Sequence, residues 1–200
     1  MKELEGKVTF PVEADYYIAA GNQSALDNAT VLKDAIKACL GDDFVTLNIC
    51  TYVSSASKEV YTPKLHSFNI SGWSADYGDP QNYLGQETYG NDSAYYSRQL
   101  SKINDVVETE ATADLLNRYK EYTALVDAAN AICDDLDARY EAYAEAEAYL
   151  IDHCLTVPAY RKQPLCLTKI DIESKPYALF GGLNNKMKNW ETNSDGYTAE

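Results

Sequence analysis

The chain has 200 residues, 46% hydrophobic and 24% charged, enough apolar material for one domain of ordinary size or a domain with an appendage. Its 31 Asp and Glu outnumber 17 Lys and Arg; a net charge of −14 with no basic run excludes nucleic acid and an anionic membrane surface as partners. No apolar stretch approaches the roughly 18 residues that span a bilayer, and charged Met1 to Lys7 carries no hydrophobic signal core, so no signal peptide is expected in this chain.

Taken in chain order, Val8 to Pro11 reads as a short strand, and Gly21-Asn22-Gln23-Ser24 breaks the chain. Leu26, Val31, Leu32, Ala35, Ile36 and Leu40 recur at helical spacing, which predicts a helix ending at Leu40 with Gly41 as its C-cap. Phe44 to Val53 alternates and is rich in β-branched residues, so it predicts a strand. This order implies a β–α–β unit and a mostly parallel sheet. A short helix is expected at Ser57 to Tyr61, cut off by Pro63, and a further strand at His66 to Trp73.

Thr88 to Ser93 reads as a polar loop and Ala94 to Val107 as a weak helix. Thr112 to Ile132 predicts a strong helix. Asp134-Asp135 opens another, expected to bury Leu136, Tyr140, Tyr143, Ala144, Leu150, Ile151 and Cys154, with Glu147 interrupting the stripe. Joined by a tight polar turn, these two form an αα-hairpin. Beyond Leu155 the pattern turns extended, with Pro158 and Pro164 keeping it off a sheet centre. Tyr177 to Trp190 is short and apolar, and Glu191 to Glu200 is a polar tail.

Residues for catalysis or metal binding are scarce. Only His66 and His153 are present; Asp76 and Asp79 flank Gly78 but lack the further oxygens of a calcium loop. There is no G-x-S-x-G and no glycine-rich phosphate loop, so no catalytic residue, metal or cofactor is expected, and the chain reads as a non-enzyme. The five cysteines form no C-x-x-C and sit mostly among apolar neighbours, as in Ala38-Cys39-Leu40, which predicts buried free thiols. Seventeen tyrosines against four phenylalanines fit either a contact-rich surface or simple replacement of one ring by the other.

One segment stands out. Gly72-Trp73-Ser74-Ala75-Asp76-Tyr77-Gly78-Asp79-Pro80 follows the expected strand at its carboxyl end, where open α/β sheets bind ligands. A tryptophan beside an aspartate suits a cationic amine on an apolar body; equally, the tryptophan plugs the core and the aspartate caps a turn.

The run Phe68 to Leu84, with its W-x-x-D-Y-x-x-P core, resembles the family 5 solute-binding proteins, the oligopeptide- and dipeptide-binding group of ABC importers. The preceding β–α–β unit is similar too, as is the long helix leading into Leu155-Thr156-Val157-Pro158-Ala159-Tyr160. The resemblance covers roughly Val8 to Trp190. It implies an α/β fold: a periplasmic-binding-protein-like type II lobe, with a mixed, mostly parallel sheet flanked by helices and a C-terminal extended segment. Residues 1–155 would be the C-terminal lobe, and 156–200 the returning hinge strand and the segment that packs on an N-terminal lobe upstream.

By the same resemblance, Asp76 anchors a peptide's α-amino group, Trp73 and Ser74 pair with the peptide main chain, and Lys162 faces the cleft. The implied partners are an oligopeptide and, for the full-length protein, an ABC permease. The implied setting is extracytoplasmic, as a cell-surface lipoprotein or periplasmic protein, and the exposed cleft of an isolated lobe is expected to favour a homodimer. A stand-alone ligand sensor or interaction module using the same lobe is the alternative.

Overall fold

The computed structural model describes residues 6, 8–160, 168–171, 173–175 and 187–192. It is mixed α/β and divides into two compact units. The first comprises residues up to 71 together with 89–113; the second comprises 72–88 and residues from 114 onward.

The first unit is built on strand β1 (Val12–Ala19), helix α1 (Gln23–Leu40) and strand β2 (Val45–Tyr52). The strands pair in parallel, from Val12 opposite Val45 to Ala19 opposite Tyr52, so the expected β–α–β unit is present. Local chemistry sets the bounds of α1. The Asn22 side chain accepts the Ala25 N–H at 3.0 Å, and Gly41 takes φ +83° beyond Leu40. That backbone conformation, φ +83° with ψ 150°, strains any residue with a Cβ, which accounts for the glycine. Ile18, Ala29, Leu47 and Val60 form the buried heart of this unit, along with Ala94, Leu100 and Ile103.

Several expectations need correction. The first strand is Val12–Ala19 rather than Val8 to Pro11. It hides in the sequence because Glu13 and Asp15 interrupt its apolar pattern. Asn48 on β2 answers them, donating from Nδ2 to Asp15 at 3.0 Å and to Glu13 at 3.4 Å. His66 to Trp73 is not a strand. Ser67 exchanges one backbone bond and one hydroxyl bond with Asp15, both 2.9 Å, and Phe68 stacks on Tyr16, but no ladder continues from there. The weak helix at Ala94 to Val107 is two separate turns, Tyr96–Leu100 and Ile103–Asp105, split by Lys102 at φ +56°. Ser57–Tyr61 does coil, as a wide π-type turn. Within it, the Glu59 carboxylate gathers the preceding N–H groups of Val53, Ser54 and Ser55, which hold its carboxyl down at about 2. The thiols of Cys39, Cys133 and Cys154 are exposed and that of Cys50 is half-buried; all four are free, and Cys166 lies outside the described residues.

The second unit contains α2 (Gln81–Leu84), which runs into a 3₁₀ turn at Gly85–Glu87, and the expected hairpin of α3 (Ala113–Ala131) and α4 (Leu136–Asp152). Asp135 caps α4 by accepting the Ala138 N–H at 3.0 Å. The core of this unit is Leu84, Tyr122, Val126, Ala129, Tyr143, Ala146 and Leu150. Tyr122 is fully buried and its hydroxyl donates to the Leu84 carbonyl at 2.6 Å, tying α3 to α2. The buried stripe of α4 is therefore not the expected one. Tyr143 and Leu150 are inside as expected, but Leu136, Tyr140, Ala144, Ile151 and Cys154 are exposed. Ile170 and Thr192 form an antiparallel bridge; most of Tyr177 to Trp190 lies outside the described residues.

Arg139 sets the phase of α4. Its Nη1 donates to the carbonyls of Ala129 (3.0 Å), Asn130 (3.2 Å) and Ile132 (3.0 Å), at the end of α3, where the Ala129 carbonyl also accepts the Ile132 N–H at 3.2 Å. Nε and Nη2 form a fork onto Asp79, 3.1 Å each. Nη2 also meets the Tyr143 hydroxyl at 3.1 Å, and that hydroxyl donates to Asn130. Lysine has the charge but not the planar fork. Arg139→Lys should therefore destabilise the 200-residue chain by about 2 kcal/mol in urea unfolding; a loss below about 0.5 kcal/mol would mean that the fork is dispensable.

Candidate functional site

The loop 72–80 is irregular backbone held by side chains from α2. Asn82, 5% exposed, does most of this holding. Its Oδ1 accepts both the indole N–H of Trp73 and the backbone N–H of Asp76, each at 2.9 Å. The Ala75 N–H donates to the Tyr83 hydroxyl at 3.4 Å. Asp79 accepts the Gln81 N–H at 2.9 Å, turning the chain into α2 just after Pro80. Burial works against ionisation of Asp79. The hydrogen bonds from Arg139 and Gln81 outweigh it and hold the carboxyl below its ordinary value.

Trp73 and Asp76 thus meet through one asparagine oxygen. Trp73 is half-buried, with its ring nitrogen turned to Asn82. Ser74 and Asp76 are exposed, and the Asp76 carboxylate has no ion pair among the described residues. Lys162 lies outside the described residues. The loop follows irregular backbone rather than the end of a strand; side-chain amides and one ion pair hold it. Among the described residues no group of three or more His, Cys, Asp or Glu is placed to hold a metal ion.

Sequence reading missed three features. Asn82 lies within the run Phe68 to Leu84, two residues past its motif, but nothing in its spacing shows that it faces backward. Arg139 is 60 residues from its partner Asp79. Glu87 is buried, 9% exposed, and accepts the Thr156 hydroxyl at 2.7 Å, which ties the segment after α4 to the turn after α2. Beside the loop, a cavity of ≈ 480 Å³ is lined by Tyr77, Pro80, Tyr83, Leu84, Tyr140 and Glu147.

Burial pushes the Glu87 carboxyl up from 4.5 to about 7, against the opposing bond from Thr156. The folded chain therefore holds this proton more tightly than the unfolded chain. The associated stability is fully present below the unfolded value of about 4.5 and is lost as pH rises through about 7, to a total of about 3 kcal/mol at most. Glu87→Gln keeps an acceptor for Thr156 and should flatten this part of the profile. Urea unfolding between pH 4.5 and 8 checks it; an unchanged slope in the variant would reject the assignment.

No family model matches the chain. Among curated proteins, it is 31% identical to the oligopeptide-binding protein SarA of Streptococcus gordonii, over 94% of this chain and 28% of that protein. It is 29% identical to the oligopeptide-binding protein AliB of Streptococcus pneumoniae, over 79% of this chain and 24% of that protein. The oligopeptide-binding protein AmiA of the same species is also 29% identical, over 78% of this chain and 24% of its own length. The chain thus spans about a quarter of the length of these relatives. Along most of its length it is homologous to a stretch of the oligopeptide-binding proteins, as the family 5 solute-binding resemblance in its sequence implied.

Proposed function

We propose that the chain is a peptide-binding part of an ABC importer's solute-binding protein. The observation that carries this reading is the similarity to oligopeptide-binding proteins along nearly the whole chain. In this reading residues 1–155 form the C-terminal lobe of a type II binding-protein fold, and 156–200 return toward the other lobe. The full-length protein works outside the membrane, as a cell-surface lipoprotein or periplasmic protein, and hands its peptide to a permease. Among the described residues no helix is long and apolar enough to cross a membrane. The open cleft of the lone lobe would favour a homodimer.

Peptide recognition rests on the loop at 72–80. Asp76 supplies the carboxylate for the ligand's α-amino group. Its backbone is fixed by Asn82 while its side chain stays exposed, which supports that role: anchored main chain, free anion. Ser74, exposed and outside any sheet, supports main-chain pairing with an extended ligand, and the half-buried Trp73 ring backs that stretch. Lys162 is assigned to the cleft by the family pattern alone. Main-chain pairing grips the peptide without reading its side chains, so many sequences are accepted.

The test is calorimetric titration of a homologue containing both lobes with short peptides, beside its Asp76→Asn counterpart. Loss of about tenfold in affinity in the variant, and a similar loss with N-acetylated peptides, is the expected result for a charge-assisted amine anchor. Affinity indifferent to both changes would reject Asp76 as the anchor.

A further inference from the structure

We propose that the tyrosine-lined groove beside the loop is a binding site for a basic side chain of the peptide, a lysine or arginine; this rests on the peptide-binding reading and names a preference within it. The groove holds ≈ 480 Å³, within the size range of small-ligand sites and ample for an alkyl stem with a charged end. Tyr77, Tyr83 and Tyr140 line it and stay 50%, 48% and 46% exposed, far above what core tyrosines of this unit show. Two of the rings are tethered. The Tyr77 hydroxyl donates to Gln81, and the Tyr83 hydroxyl receives the Ala75 N–H. Pro80 and Leu84 add apolar wall.

Charge selects the ligand. The groove has two carboxylates, and they differ in state. Asp79 is neutralised by the Arg139 fork. Glu147 is exposed and has no ion pair among the described residues. Arg139 has given its donors to Asp79, Tyr143 and the carbonyls at the end of α3, so it does not compensate Glu147. Aromatic faces with one free anion attract a cation whose stem is apolar. A neutral apolar side chain would fill the groove but leave Glu147 unanswered, and an anion would be repelled by Glu147 and by a chain of net charge −14. Tyr140 and Glu147 are the residues of α4 that the periodicity assigns to a core stripe or to its interruption; on the open side of the helix they become ligand groups.

The experiment titrates the 200-residue chain with two blocked tripeptides, N-acetylated and C-amidated alanine-lysine-alanine and its norleucine counterpart, followed by tyrosine fluorescence at low salt. The lysine peptide should bind about fivefold tighter, the size of one exposed cation–π contact with a surface ion pair. Glu147→Gln should bring that advantage below about twofold, and Tyr140→Leu should reduce it in part while circular dichroism stays unchanged. Equal binding of the two peptides, no lysine-peptide binding at millimolar concentration, or an advantage untouched by Glu147→Gln would each overturn the proposal. So would sedimentation showing that the chain dimerises and that Tyr140→Leu makes it monomeric, because the groove would then belong to a second copy. Both peptides lack an α-amino group, so failure of the Asp76 anchor would show only in the comparison of free with acetylated peptides and would leave this result standing.

Discussion

The Arg139 guanidinium is the constraint on which the second unit depends. A helix ending in a tight turn leaves its final carbonyls without partners, and here the turn between α3 and α4 is only four residues long, from Ile132 to Asp135. The donor comes instead from the first turn of the next helix. Arg139 covers three carbonyls with one nitrogen, and that cation at the α3 C-terminus is favourable for the helix dipole as well. Its remaining donors need an acceptor, and Asp79 provides two oxygens in the matching geometry. Asp79 belongs to the loop that displays Asp76. One side chain therefore sets how α3 meets α4 and, through them, where the candidate ligand loop stands.

What the sequence discloses follows from how local each cause is. The ends of α1 are legible because Asn22 and Gly41 act on their own neighbours, and the start of α4 is legible for the same reason at Asp135. β1 is obscure because the justification for Glu13 and Asp15 is Asn48, which arrives only when the strands pair. His66 to Trp73 fails in the opposite sense: alternation is present, but beyond Ser67 no strand takes up its backbone. In α4 two apolar stripes are written on one helix. Periodicity cannot choose between Leu136-Tyr140-Ile151 and Tyr143-Ala146-Leu150; Arg139 chooses, because only the second stripe faces inward when its guanidinium reaches α3. The candidate site divides likewise. Trp73, Ser74 and Asp76 are visible as a string, whereas Asn82 turning back on the loop and Glu147 bordering the groove depend on packing that no short window contains.

Glu87 carries the logic of buried polar groups one step further. A carboxylate in an apolar setting is costly, and the site lightens that cost by keeping the proton rather than by supplying a cation. Its one hydrogen bond from a side chain links it to Thr156, two residues beyond Cys154 where the α4 turn closes at φ +53°. The segment leaving α4 is thereby tied to a carboxyl whose burial raises its proton affinity toward neutral pH. A glutamine would make the same contact without the pH dependence.

Around the loop and the groove the carboxylates fall into two kinds. Asp79 and Glu87 have internal obligations, an arginine fork and a hydroxyl; Glu87 is buried and Asp79 half-buried. Asp76 and Glu147 have no ion pair among the described residues and are exposed, and Glu147 borders the tyrosine-lined groove. A chain with 31 acidic residues has exposed carboxylates in many places, so exposure alone identifies nothing. The distinction lies in the support behind them. The backbone of Asp76 is pinned by a buried asparagine, and Glu147 projects from a helix whose rotation is set by the Arg139 fork. Anions with rigid mounts and no internal partner are what recognition of a cationic ligand requires, because their orientation is determined before the ligand arrives and little ordering remains for binding to impose.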